Sequence, residues 1–242
     1  MNSQIILSLG YNCEISFRIE DYFGRIDAYL FSWSFEEDRT LFLDALEHID
    51  NIFNVNVNLR DDHMFADEVY KIKFHPRYEI LPKVGSYSHK QYIEALDELT
   101  SRLNHLKDKT QQTFLSKNDI IFLIKIEDFG EESNYNYILA LYNILSKVVV
   151  YKNFKLVCIF EKKAILKRIN ELTASLKGLR IRTVKRFAPV KHTDICGDIR
   201  GWYKILREFM PIEKTNYFKN IFLRRKKVIL TIIKNKMKSI FN

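Results

Sequence analysis

The fold is decided by residues 4–18, which read QIILSLGYNCEISFR. The apolar run at 5–9 is typical of a buried strand, and Gly10 allows a tight turn after it. Beyond the turn, apolar residues recur at the spacing of one partly buried helix face. The stretch therefore predicts a strand, a turn and then a helix.

Cys13 stands where this helix would begin. Asn12 is a candidate N-cap, which would place the Cys13 sulfur beside unpaired backbone N–H groups and the positive end of the helix dipole. Such surroundings lower the pKa of a thiol and favour the nucleophilic thiolate. The alternative is that Cys13 is a small apolar residue packed under the turn. The residues alone leave both interpretations open, although nucleophiles are found in strand–turn–helix settings of this kind.

The length of 242 residues and the apolar content of 47% are sufficient for a substantial core and predict one main domain. Three cysteines without the spacing of a disulfide framework indicate a reducing compartment. The sequence shows no recognisable signal peptide and no run of membrane-spanning length. We therefore expect a cytoplasmic protein.

The net charge of +9 is concentrated at the end of the chain. Residues 214–242 contain nine Lys or Arg and no Asp or Glu, which leaves 30 residues of each sign in 1–213. A neutral body with a basic end is unlike a duplex-binding domain, so we expect no nucleic-acid partner. Apolar residues of the basic segment fall near one helical face, which predicts a basic amphipathic helix. Its contact would be an anionic membrane surface, a partner protein or its own domain.

Strands and helices alternate from residue 119 onward. Apolar strands are expected at 119–126, 154–160 and 179–184, and helices at 135–148 and 164–176. With the opening strand and helix, this alternation predicts an α/β fold of three layers, with a mostly parallel sheet and helices on both faces. A last helix at 197–210 closes a catalytic-type domain of residues 1–213.

Residues 24–88 are predicted to form an irregular insertion in this domain. The expected elements are an aromatic-rich strand or buried loop at 26–35, a helix at 38–49, and strands or a hairpin at 55–59 and 69–74. A strong helical pattern follows at 90–106. Loops at the end of a sheet often carry functional side chains, so the insertion is a candidate region for a site.

A thiol nucleophile needs a base, and two histidines are best placed to provide one. His75 closes a predicted strand, and His192 lies in the loop before the last helix. Asp198 begins that helix, where it is a candidate orienting carboxylate or simply the N-cap. Asn12 and the backbone N–H groups near Gly10 and Cys13 could form an oxyanion hole.

Metal and phosphate sites are not indicated by the sequence. It contains neither C-x-x-C nor H-E-x-x-H, and neither G-x-G-x-x-G nor G-x-x-x-x-G-K. We therefore expect no metal and no bound cofactor.

Several motifs of the chain resemble those of a known family. They are SLGYNC at 8–13, LFSW at 30–33, IKFH at 72–75, the pair Gly197-Asp198, and Trp202. In order and spacing, over most of residues 4–210, they resemble a bacterial family of unknown function described as papain-like cysteine peptidases. Members accompany genes for capsules and other surface polysaccharides, and a related group is thought to transfer acetyl groups.

Carried over to this chain, the resemblance makes Cys13 the nucleophile and His75 its partner, with Asp198 as a weaker third member. Trp33 and Trp202 would then belong to the substrate-binding part of the site.

Two features depart from the family. Ser32 stands where the family commonly has aspartate. The alternating strands and helices are closer to the flavodoxin-like sheet of SGNH-type esterases, in which the nucleophile also follows the first strand, than to the papain fold.

Two functional hypotheses follow. The first is a Cys-His hydrolase, peptidase or acyltransferase that passes through a thioester and acts on a small molecule, glycan or peptide in surface-polysaccharide biosynthesis. A transferase would use an acyl donor such as acetyl-CoA. The second is a non-catalytic accessory protein of polysaccharide assembly, held on the inner face of the membrane by residues 214–242.

Overall fold

The structure is a computed structural model, and it describes residues 4–10, 13–24, 27–76, 88–162, 164, 166–188, 197–211 and 216–226. The strands are β1 (Gln4–Ser8), β2 (Ser34–Glu36), β3 (Val57–Leu59), β4 (Phe65–Asp67), β5 (Ile72–Phe74), β6 (Asp119–Lys125), β7 (Phe154–Glu161) and β8 (Leu179–Val184). The helices are α1 (Glu14–Phe23), α2 (Arg39–Glu47), α3 (His89–Phe114), α4 (Glu131–Val148), α5 (Lys167–Ser175), α6 (Ile199–Arg207) and α7 (216–226).

One sheet is parallel and has the strand order β1–β6–β7–β8. The opening strand β1 lies at its edge, with Ser8 in register with Leu123 of β6. Helices α4 and α5 connect β6 to β7 and β7 to β8, as parallel neighbours require. The strands predicted from continuous apolar runs are therefore confirmed.

Side chains alternate across this sheet and supply two apolar layers. On one face, Ile121 packs in a cluster with Ile15 of α1 and Trp202 of α6. On the other face, Phe122 packs in a second cluster with Leu141 of α4, together with residues of α3, α5 and the insertion. The predicted three-layer α/β fold, with helices on both faces of a parallel sheet, is confirmed.

A second sheet lies within residues 24–88; it is antiparallel, with the order β2–β5–β4–β3. The strands predicted at 55–59 and 69–74 are present as the shorter β3 and β5. The alternative of a hairpin between them is wrong, because β4 runs between the two and pairs with both. Periodicity misses β4 because it has three residues, all buried, and one is Asp67. The Asp67 carboxylate accepts hydrogen bonds from three backbone N–H groups at 2.6–3.0 Å, which accounts for a buried acid there.

Helix α3 extends well beyond the pattern that predicted it. It begins with a capping box, in which Ser88 Oγ accepts from Gln91 N at 3.2 Å and Gln91 Oε1 accepts from Ser88 N at 2.9 Å. In its second half the buried positions include Thr110 and Thr113, whose hydroxyls donate to carbonyls one turn earlier at 2.7 and 2.9 Å. The apolar periodicity therefore ends before the helix does.

The basic segment begins as a helix that packs on the domain. Tyr217 and Ile221 of α7 are buried in the cluster that contains α1 and α6. Arg224 donates to the buried carboxylate of Asp21 through Nε at 2.5 Å and Nη2 at 3.0 Å. Most of the predicted amphipathic helix, 227–242, falls outside the described residues, and the division at residue 213 stays a prediction. No helix in the described part of the chain combines the length and the apolar composition that a membrane span requires.

Candidate active site

Cys13 lies at the carboxyl end of β1, after a turn through Gly10. Gly10 has φ +66°, a left-handed conformation that favours glycine, as the predicted turn at this position requires. Cys13 itself is 6% exposed.

Cys13, rather than Asn12, holds the N-cap position of α1. Its backbone is already near helical, with φ −69° and ψ −3°, and its carbonyl accepts a hydrogen bond from Phe17 N at 3.0 Å. The prediction of Asn12 as N-cap is wrong because the helix starts one residue later than the pattern indicated. Asn12 lies outside the described residues, so its predicted part in an oxyanion hole stays a prediction.

The segment 32–36 of the insertion runs past the first turns of α1. Ser16 Oγ donates a hydrogen bond to the Ser32 carbonyl, and the rings of Phe17 and Trp33 meet edge to face at 5.0 Å. Trp33 is half-buried and so remains partly accessible beside α1. These contacts place the residues before β2 against the N-terminal end of α1, where Cys13 lies.

His75 directly follows β5, as the sequence predicts, and is half-buried. It does not belong to the parallel sheet, because β5 pairs with β2 in the antiparallel one. The His75 ring meets the ring of Phe35 of β2 edge to face at 5.9 Å. The backbone carbonyl of His75 accepts a hydrogen bond from Arg102 of α3. The helix that Cys13 begins and His75 therefore contact the same short segment: α1 packs on Ser32 and Trp33, and the His75 ring packs on Phe35.

Glu36, the last residue of β2, reaches back to the turn after β1. A Cβ at Gly10 would overlap the Glu36 carboxyl group. Glu36 Oε1 lies 2.6 Å from Ser34 Oγ. Burial raises the pKa of Glu36 to about 8, against the lowering effect of the Ser34 hydrogen bond.

Glu36 also lines a cavity of ≈ 140 Å³ at the carboxyl ends of β1 and β6. Its walls combine apolar and ionisable side chains, namely Leu9, Glu37, Asp38, Arg39, Phe42, Ile124, Lys125, Phe129 and Tyr137. This edge of a parallel sheet is where ligands of open α/β folds bind.

A buried ion pair ties the start of α1 to the same edge. Glu14, fully buried, lies 3.7 Å from Lys125 Nζ at the end of β6. Burial raises the pKa of Glu14, opposed first by the charge of Lys125, and burial lowers the pKa of Lys125, opposed first by the charge of Glu14. The Lys125 ammonium also lies over the Phe187 ring at 4.3 Å.

Trp202 is completely buried in the apolar cluster that contains Ile15 of α1. Its Nε1–H donates to Glu14 Oε1 at 3.2 Å, and Ala188 N donates to both Glu14 oxygens at 3.1 Å. Trp202 therefore has a structural part, because its ring is closed off in the core and its N–H donates to the Glu14 carboxylate. Its implied part in substrate binding stays a prediction.

Asp198 is the N-cap of α6. Its Oδ1 accepts from Gly201 N at 3.0 Å, and its Oδ2 accepts from Lys185 N at 2.8 Å. Of the two alternatives for Asp198, the structure supports the N-cap, since both oxygens are engaged by backbone N–H groups. The alternative base His192 lies outside the described residues.

Three ionisable residues at this edge were missed by sequence reasoning: Glu14, Glu36 and Lys125. Lys125, near the end of the apolar stretch 119–126, indicates in the sequence alone that a buried charge partner exists. Glu36 gave no comparable signal, because its place over Gly10 depends on the pairing of β2 with β5. Within the parts of the chain that are described, no cluster of three or more His, Cys, Asp or Glu could hold a metal ion.

Comparison with known proteins gave no relative for this chain. No family model matches it, and neither a curated protein nor a solved structure matches it at a significant level.

Proposed function

We propose that the protein is a cysteine-dependent acyl-transferring enzyme, a hydrolase or an acyltransferase, with Cys13 as its nucleophile. The observation that supports this proposal is the position of Cys13, at the N-cap of α1 and the carboxyl end of β1. The α1 dipole favours a thiolate at that position. His75, which packs on the segment next to α1, is the proposed partner that accepts the thiol proton.

In the proposed reaction the Cys13 sulfur attacks an acyl carbonyl and its proton passes to His75. The leaving group takes that proton, and a thioester remains on the sulfur. Backbone N–H groups near Gly10, with Asn12, are the proposed oxyanion donors. An acceptor, either water or a hydroxyl of a sugar, then takes the acyl group and frees the thiol.

The family resemblance supports a substrate in surface-polysaccharide biosynthesis, with acetyl-CoA as a donor if the enzyme is a transferase. A peptide remains the alternative substrate, as the peptidase description of that family implies.

Acylation of Cys13 tests this proposal. The protein is mixed with p-nitrophenyl acetate or acetyl-CoA, quenched, digested and examined by mass spectrometry for acetyl on each cysteine. We expect acetyl on Cys13 of the native protein, much less in His75→Ala, and none on Cys158, which is fully buried and whose pKa burial raises. Equal labelling of Cys13 in the native protein and in His75→Ala would remove His75 from the mechanism, and no labelling would remove Cys13.

A second candidate function is that of a non-catalytic accessory protein on the inner face of the membrane. Two observations favour it: Cys13 is nearly buried, and α7 turns large apolar side chains outward. Phe218, Phe222 and Leu223 are 42%, 68% and 52% exposed, whereas Arg224 anchors the opposite side of the helix to Asp21. Together with the nine basic residues of 214–242, this surface suits an anionic lipid headgroup layer.

Vesicle sedimentation tests this second candidate. We expect the protein to bind vesicles that contain phosphatidylglycerol and not pure phosphatidylcholine, and Phe222→Ser/Leu223→Ser to bind about tenfold more weakly. Leu115→Ser/Val150→Ser is the matched control, since these side chains are 62% and 55% exposed elsewhere on the domain. Equal binding by both variants would exclude α7 as the lipid-binding surface.

A further inference from the structure

Ser34 Oγ lies between two acceptor atoms, 2.6 Å from Glu36 Oε1 and 3.2 Å from the carbonyl oxygen of Phe31. A serine hydroxyl has one hydrogen, so it can donate to only one of them at a time. The carbonyl can only accept. When Ser34 donates to Phe31, the short contact with Glu36 therefore requires a proton on the carboxyl group.

These three groups thus have two proton arrangements. With Glu36 ionised, Ser34 donates to the carboxylate. With Glu36 protonated, the carboxyl donates to Ser34 Oγ, which donates onward to the Phe31 carbonyl. Ser34 is fully buried, so both arrangements are shielded from exchange with bulk water at that atom.

The groups that face Glu36 come from several elements. They are Glu37 and Asp38, which follow it in the chain, Arg39 of α2, Lys125 of β6 and Tyr137 of α4. Of the two cations, Lys125 is paired with Glu14, and Arg39 donates to Asn134 Oδ1 at 2.8 Å and to the Glu127 carbonyl at 3.2 Å. The cations are therefore engaged by other groups, which agrees with a carboxyl whose pKa is raised by burial to about 8.

Size and position indicate what this carboxyl would meet. It lies over Gly10, three residues before Cys13, and opens on the cavity of ≈ 140 Å³. A cavity of that volume admits a molecule about as large as benzene. Water, a small alcohol or one hydroxyl-bearing arm of a larger molecule fits.

We propose that Glu36 exchanges a proton with a hydroxyl-bearing acceptor that enters this cavity and takes the acyl group from Cys13. The inference rests on the proposed function and deepens it, because it assigns the acceptor side of the reaction. The acceptor oxygen forms a bond to the thioester carbonyl carbon as its proton passes to the Glu36 carboxylate. The carbon–sulfur bond then breaks, the sulfur leaves as thiolate, and the proton on Glu36 returns to the sulfur through solvent.

The test separates acylation from release. Stopped-flow mixing with p-nitrophenyl acetate gives a burst of p-nitrophenol for acylation of Cys13 and a steady rate for release, with water or added glycerol as acceptor. We compare the native protein with Glu36→Gln, which keeps the shape of the protonated side chain, and with Glu47→Gln, a control at the end of α2 outside the cavity.

We expect Glu36→Gln to keep the burst and to release acetyl about 100-fold more slowly, the usual contribution of a general base. In the native protein the release rate should rise with pH up to about 8, and this rise should be absent in Glu36→Gln. Unchanged release, or a lost burst, in a folded Glu36→Gln protein would overturn the inference while leaving Cys13 as the nucleophile. Absence of any Cys13-dependent burst in the native protein would overturn the proposed function and this inference with it.

An infrared titration tests the proton on Glu36 independently of activity. The difference spectrum between the native protein and Glu36→Gln should contain a protonated carboxyl band at neutral pH that disappears with a midpoint at about pH 8. A band already lost at the ordinary carboxyl value of 4.5 would overturn the inference.

Discussion

The carboxyl group of Glu36 occupies the space beside the Gly10 backbone that a β-carbon would fill. This contact joins the end of β2 to the turn between β1 and α1, and so joins the insertion to the element that carries Cys13. Gly10 is required for two separate reasons, its φ of +66° and this close approach.

Gly10→Ala should therefore destabilise the protein more than the same change at Gly130. Gly130 has φ +88°, and nothing lies within 4 Å of its would-be Cβ, so it is a matched control for the conformational cost alone. We expect about 1 kcal/mol at Gly130 and about 2–4 kcal/mol at Gly10, where the overlap with Glu36 adds strain. Urea unfolding of the two variants measures both values.

The double variant Gly10→Ala/Glu36→Ala isolates the strain. Truncating Glu36 should raise the free energy of unfolding of the Gly10→Ala protein by about 1–2 kcal/mol, as expected for residues in direct contact. Strict additivity of the two changes would contradict the contact.

Stability should depend on pH through Glu36. Its pKa is raised from 4.5 to about 8 on folding, so between these values the folded protein holds a proton that the unfolded chain has lost. The contribution of this group to stability is therefore complete below pH about 4.5 and falls as pH rises towards about 8, by at most about 1.4 kcal/mol per pH unit. Residue 36 does not titrate in Glu36→Gln. The free energy of unfolding of this variant should therefore increase relative to that of the native protein as the pH rises across this range. A constant difference between the two proteins from pH about 5 to 8 would show that Glu36 is already ionised in the fold.

Substitution of Asp21 should destabilise the protein more than substitution of Arg224, one of the two arginines that pair with it. Its carboxylate pairs with Arg18 at 2.9 Å and with Arg224 of α7, all in the interior. Asp21→Asn leaves both guanidinium groups without this carboxylate and should cost about 3–5 kcal/mol, whereas Arg224→Met keeps the Arg18 pair and should cost about 1–3 kcal/mol. Thermal unfolding of both variants checks the order, and a larger cost for Arg224→Met would contradict it.

Asp198→Ala distinguishes an N-cap from a catalytic acid. Loss of the cap of α6 should lower the free energy of unfolding by about 1 kcal/mol and leave the rate of Cys13 acetylation within about twofold. Asp198→Ser, which can cap the helix, should recover most of the stability. A loss of about 100-fold or more in acetylation by both folded variants would return Asp198 to the mechanism.

The parallel sheet could be predicted because its strands are buried on both faces and so carry continuous apolar residues. β6, with Ile120, Ile121 and Phe122 in sequence, is the clearest case. The apolar pattern predicts only the first part of helix α3, because Thr110 and Thr113 replace apolar residues on its buried side and satisfy their hydroxyls within the helix. β4 was missed because its buried Asp67 is stabilised by backbone N–H groups that only the folded loop brings together.

In the site, too, features encoded by neighbouring residues could be predicted and features made by contacts between distant residues could not. The place of Cys13 was predictable because the apolar run, Gly10 and the helical pattern are adjacent in sequence. Glu36 and Lys125 approach the same edge only through strand pairing and packing, over separations that local patterns do not encode. The contact of the Trp202 N–H with the buried carboxylate of Glu14 is equally beyond local patterns, because the two residues are far apart in the chain.

The most direct test of Cys13 as the nucleophile is the pH dependence of its alkylation by iodoacetamide, measured by mass spectrometry in the native protein and in His75→Ala. Cys158 is the internal control, because it is buried in β7. We expect Cys13 to alkylate with a midpoint below the value of a free thiol, about 8.5, and His75→Ala to move the midpoint upward. A Cys13 that stays as inert as Cys158 until the protein unfolds would contradict the catalytic proposal and leave the accessory function on the membrane as the one to pursue.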